Sequence, residues 1–79
     1  MTDWRDHIHS DPRILGGKPV VKGTRISVEL ILEYLSDGCS TADVIAAYPH
    51  VTEADVRAAV AFAHGMVADE RVLAQKRAA

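Results

Sequence analysis

The chain has 79 residues, 48% of them apolar, a formal net charge of −2 and one cysteine, Cys39. A chain of this size buries only about 60% of the surface that its unfolded form exposes, so it holds one domain with a thin core, and self-association as a homodimer is the expected way to cover what one copy leaves open. A lone cysteine excludes an internal disulfide, no charged-then-apolar leader opens the sequence, and no apolar run approaches the roughly 20 residues of a membrane helix; the chain reads as soluble and cytoplasmic.

In chain order, residues 1–7 form a polar arm whose one large apolar group, Trp4, is expected to dock on the core or on a second copy. Residues 8–26 carry the special backbone positions: Ile8 to Asp11 reads as extended, Asp11-Pro12 starts a turn, and Gly16, Gly17, Pro19 and Gly23-Thr24 specify a path rather than a packed face. Gly16-Gly17 between Arg13-Ile14-Leu15 and Lys18-Pro19-Val20-Val21 predicts a two-residue hairpin, with Pro19 on an edge strand.

Residues 27–69 read as three helices. Ser27 caps the first, whose Val28, Ile31, Leu32 and Leu35 fall on one face before Asp37-Gly38 stops it. Ser40-x-x-Asp43 is a capping box opening a short helix that ends at Pro49, with Val44, Ile45 and Tyr48 inward. Thr52-x-x-Asp55 repeats the device and starts the longest helix, with Val56, Ala59, Val60, Ala63 and Val67 on its apolar face, widened by Phe62 and Met66. Gly65 is its weak point. Residues 70–79 form a tail with little to bury beyond Val72 and Leu73. The expectation is a single all-α domain over residues 1–79, a homeodomain-like helix-turn-helix bundle preceded by a short N-terminal β-hairpin.

Charge is distributed in blocks. Four cations and no acid lie between residues 13 and 25, whereas residues 26–55 hold six acids and no base. A nucleic-acid contact would therefore centre on Lys18, Lys22 and Arg25, with Arg57 as the one cation well placed on the third helix. That helix opens with Glu53 and Asp55, which suit its dipole but repel phosphate, so it is poorly suited to enter a DNA groove. Arg25 has a competing role, its planar fork fastening the loop to carboxylate or carbonyl oxygens. His7-x-His9 near Asp11 lacks the further ligands of a metal site, His50 and His64 stand singly, and Cys39 reads as a small buried apolar residue. The glycines near Lys18 and Lys22 do not follow the order of a phosphate loop, and no nucleophile or paired-acid motif marks an enzyme or a cofactor site.

Asp11-Pro12, Gly16-Gly17-Lys18-Pro19, Gly23-Thr24-Arg25, Gly38-Cys39-Ser40, Tyr48-Pro49 and Thr52-x-x-Asp55 together resemble the small prokaryotic family called domain of unknown function four hundred and thirty-three, over roughly Ile8 to Ala63. Ser27 departs from the family pattern, which has proline there; both residues suit a helix start. The resemblance implies a helix-turn-helix fold and, for some members, a VapB-like antitoxin encoded beside a PIN-like ribonuclease toxin. On that implication the chain binds and inhibits such a toxin and represses its own operator. The tail residues Arg71, Val72, Leu73, Lys76 and Arg77 are then the toxin contact, an apolar pair beside cations that could compete with metal in an acidic nuclease site. The rival expectations are a stand-alone DNA-binding regulator and a dimeric adaptor without nucleic-acid affinity.

Overall fold

The computed structural model describes residues 3–68. A small antiparallel ribbon, β1 (Ile8–Ser10) and β2 (Pro19–Val21), leads into three helices, α1 (Val28–Ser36), α2 (Thr41–Ala47) and α3 (Glu53–Ala68). The helices and the N-terminal ribbon agree with the expected architecture. The tail residues Arg71, Val72, Leu73, Lys76 and Arg77 lie outside the described residues.

The ribbon is not the hairpin that Gly16-Gly17 suggested. Ile8 pairs with Val21 and Ser10 with Pro19, so the partner of β2 is β1 and not residues 13–15. The reason lies in the connection. The Asp11 carboxylate accepts the Arg13 N–H at 2.9 Å and its carbonyl accepts the Ile14 N–H at 2.8 Å, which curls residues 11–14 away from any ladder. Leu15, Gly16 and Gly17 then all take left-handed backbone, with φ of 49°, 66° and 92°. The glycines do turn the chain, but Leu15 joins the turn and cannot belong to a strand.

β2 is held on both sides. Beyond the β1 rungs, the Val21 N–H donates to the Ile26 carbonyl at 2.9 Å and Val20 bridges to Ser27, so the segment entering α1 folds back along the second edge. Between them, Thr24 N–H closes on the Val21 carbonyl at 3.0 Å with Gly23 at φ 78°, the left-handed position that a type II turn reserves for glycine. The Thr24 hydroxyl donates to Val21 O and accepts from Ile26 N, which locks the turn to the segment entering α1.

Each helix starts, and α1 stops, for the reasons its sequence gives. The Ser27 hydroxyl accepts the Leu30 N–H at 3.0 Å, and Ser40 with Asp43 forms a complete capping box. After α1, Gly38 at φ 92° sends its N–H to Leu35 O while Cys39 sends its own to Tyr34 O, a Schellman closure. Cys39 is half-buried there rather than buried as expected. Thr52 and Asp55 exchange backbone-to-side-chain hydrogen bonds at 2.9 and 3.1 Å, giving α3 the second capping box.

The core is Ile8, Val21, Val28, Ile31, Val44, Val51, Val56, Ala58 and Ala59, drawn from every element. Trp4, in a short 3-10 turn (Trp4–Asp6), reaches α3 and meets Phe62 edge-to-face, with ring centroids 4.9 Å apart. The arm therefore docks on its own chain. The His7 imidazole secures it: Nδ1 lies 2.8 Å from Asp55 Oδ1, so one carboxylate both caps α3 and holds the arm. Burial pushes the Asp55 carboxyl up, but the Thr52 backbone N–H, His7 and the Thr52 side chain outweigh it and leave the pKa below its ordinary value.

The apolar face expected of α3 is only half buried. Val56 and Ala59 are inside with Ala58, whereas Val60, Met66 and Val67 are exposed. Past Phe62, Met66 and Val67 lie on the wall of an open hollow that no described residue fills.

Asp55→Ala removes both the cap and the partner of His7, and should cost about 1–3 kcal/mol in urea denaturation. Because the Asp55 pKa is depressed by folding, its contribution is complete above the unfolded carboxyl value of about 4 and is lost as pH falls through the lower folded value. Asp55→Asn should correspondingly flatten the acid limb of stability against pH. Gly65 lies in the last described turn of α3 with open space where a Cβ would go, so Gly65→Ala should raise stability by up to about 1 kcal/mol in the same assay.

Candidate functional site

The cations singled out in the sequence separate into two pairs. Lys18 Nζ lies 2.8 Å from Glu29 Oε1, and Arg57 lies 2.8 Å from Glu53 one helical turn away. The carboxylate beside Lys18 raises its pKa, and Lys18 in turn lowers that of Glu29. Both pairs are solvent-exposed, so they add little stability, but they cancel local charge on α1 and α3.

Lys22 and Arg25 are different. Both are exposed on the turn between β2 and α1, and no hydrogen bond or ion pair among the described residues uses either side chain. Among the described residues, Arg25 therefore makes none of the loop-fastening bonds expected of it. Thr24 and the backbone close that loop without it, leaving the guanidinium free to meet something else.

What Arg25 faces was not legible from spacing. The turn after β2 and the connection between α2 and α3 come together around a cleft of about 370 Å³, lined by Thr24, Arg25, Ile26, Tyr48, Pro49 and His50. Two motifs noted separately in the sequence thus form one surface, and His50 joins them. Among the described residues, no carboxylate lines the cleft. Tyr48 is steadied from behind by an edge contact with Tyr34, ring centroids 5.7 Å apart, and a 3.5 Å contact between their hydroxyls. That contact raises the Tyr34 pKa.

A second concavity is a groove of about 400 Å³ between α1 and the last turns of α3. Val28, Leu32, Phe62, Met66 and Val67 make its walls, and the Lys18–Glu29 pair its charged lining. Met66 and Val67 are exposed there, and exposed apolar side chains lining a hollow are the usual mark of a surface that another molecule covers. His7 and His9 do not converge on a metal site: His7 is committed to Asp55, and among the described residues no group of three His, Cys, Asp or Glu side chains could hold an ion. No described helix is long and apolar enough to cross a membrane.

Searches of the curated proteins and of the solved structures return no match to this chain. A family model matches residues 8–63, from the first strand through the buried half of α3, and its description is protein of unknown function DUF433. The match takes in β1, β2, the free cations, both turns of the cleft and all three helix starts, and so the chain belongs to the DUF433 family.

Proposed function

We propose that this protein is the antitoxin of a toxin–antitoxin pair, that it binds and inhibits a PIN-like ribonuclease, and that it acts as a homodimer in the cytoplasm. The observation that carries the reading is the apolar groove between α1 and α3, whose Met66 and Val67 are 57% and 49% exposed among the described residues. A protein partner supplies the missing cover. In this reading α2 and α3, joined by residues 48–52, form a helix-turn-helix unit that serves packing rather than base recognition. The acids in the first turn of α3 and the Arg57–Glu53 pair argue against presenting that helix to DNA.

A second reading, a DNA-binding regulator, draws support from the two uncommitted cations Lys22 and Arg25. Phosphate contact there would need no base-reading helix and would give affinity without much sequence discrimination.

Purification of the full-length chain from its own cells should bring down a ribonuclease in near-equal amount, whose RNA cleavage is suppressed in the complex. Met66→Glu with Val67→Glu, both on exposed positions, should release the nuclease and restore cleavage while leaving the circular dichroism and melting of the chain unchanged. A chain that elutes only with itself would overturn the antitoxin reading. The regulator reading predicts binding to its operator that falls steeply with salt and weakens in Lys22→Ala and Arg25→Ala without loss of fold.

A further inference from the structure

The cleft between the β2–α1 turn and the α2–α3 connection has a composition that the antitoxin reading leaves unused. Its lining brings together the Arg25 guanidinium, uncommitted within the described residues, and the imidazole of His50, with no acid among the described lining groups. This is uncommon on the molecule. Arg5, Arg13, Lys18 and Arg57 each have a carboxylate within 3.4 Å, so Lys22 and Arg25 alone among the described lysines and arginines are unpaired.

Backbone donors add to the side chains. The N–H groups of Gly23 and Arg25, both at the cleft, donate to no other described group, because the turn is closed through Thr24 and Ile26 instead. Uncommitted N–H groups beside a guanidinium are suited to an oxyanion. The remaining walls are apolar: Ile26, Pro49 and the ring of Tyr48, which Tyr34 holds in place. A volume of about 370 Å³ is large enough to hold a small molecule.

We propose that this cleft binds a phosphate monoester carried on a flat apolar ring, which is the chemistry of a nucleotide. A carboxylate would be satisfied by the Arg25 fork alone, leaving His50 and the two N–H groups without an acceptor; the three terminal oxygens of a phosphate match the full set. The ring packs against Tyr48 and Pro49, as bases do on aromatic platforms. The phosphate sits between Arg25 and His50. The site requires no protein partner, so it stands or falls independently of the antitoxin reading.

The test is an amide NMR titration of the full-length chain with adenosine 5′-monophosphate, adenosine and inorganic phosphate as separate probes. The monophosphate should shift the amides of Gly23, Arg25, Ile26 and His50 saturably, and more tightly than either half of the molecule. Arg25→Gln should weaken it by about tenfold or more, the loss expected for a hydrogen-bonded charge, whereas Lys18→Gln on the other face should leave it unchanged. Because Arg25 is exposed and makes no described contact, its replacement leaves the fold intact, which the rest of the amide spectrum verifies. Absence of saturable shifts at these residues overturns the proposal, and so does equal affinity of Arg25→Gln, or of inorganic phosphate alone. A 5′-phosphorylated tetranucleotide run in parallel identifies the source: tighter binding than the monophosphate assigns the site to a strand end, and weaker binding assigns it to a free nucleotide.

Discussion

The Asp55 carboxylate ties together parts of the chain that would otherwise have little reason to stay together. One oxygen accepts the Thr52 N–H and so completes the start of α3; the other meets the His7 imidazole, 48 positions earlier in sequence. With His7 held, Trp4 is brought to Phe62, β1 starts at Ile8 beside Val21, and the two-stranded ribbon closes over the core. A carboxylate that is largely buried is costly unless every acceptor site is used, and here the capping box and the imidazole share that task. The arm, the ribbon and the third helix therefore depend on a single buried acid.

From that junction the molecule divides into a committed half and an uncommitted half. On the committed side, β2 is flanked by β1 and by the entry to α1, and Ile31, Val44, Val51 and Ala59 are almost completely shielded from water. On the other side lie features that the fold does not require: the groove ending at Met66 and Val67, the free guanidinium of Arg25, and the cleft beside His50. Groups that folding leaves unsatisfied are where binding is to be sought, since holding them exposed contributes nothing to the core. The two concavities differ in character. One is apolar with its charged lining internally paired; the other carries a guanidinium that no described carboxylate neutralises, which is why different ligands are proposed for them.

Much of this was legible in local sequence. Ser27, Ser40-x-x-Asp43 and Thr52-x-x-Asp55 mark the three helix starts, and Asp37-Gly38 the first stop, because caps and left-handed closures act over three or four residues and depend on side-chain types that are few. Gly16-Gly17 does mark a turn, but the strand before it is not the one that pairs with β2. A glycine pair specifies that the chain reverses, not which segment it returns to, and the Asp11 turn withdraws residues 13–15 from pairing.

What sequence alone determined is thus the set of local conformations: three capped helices, their order, a glycine-directed path into the first, and the uneven distribution of charge. Tertiary structure decided everything that depends on groups far apart in the chain. It paired β2 with β1, gave Asp55 to His7, neutralised Lys18 with Glu29, and brought Arg25 and His50 to one cleft. It also left the last turns of α3 uncovered, although their apolar spacing matches that of the buried turns. Periodicity records which side of a helix is apolar, but burial requires a neighbour packed against that side, and past Phe62 the described residues leave Met66 and Val67 on the wall of an open groove.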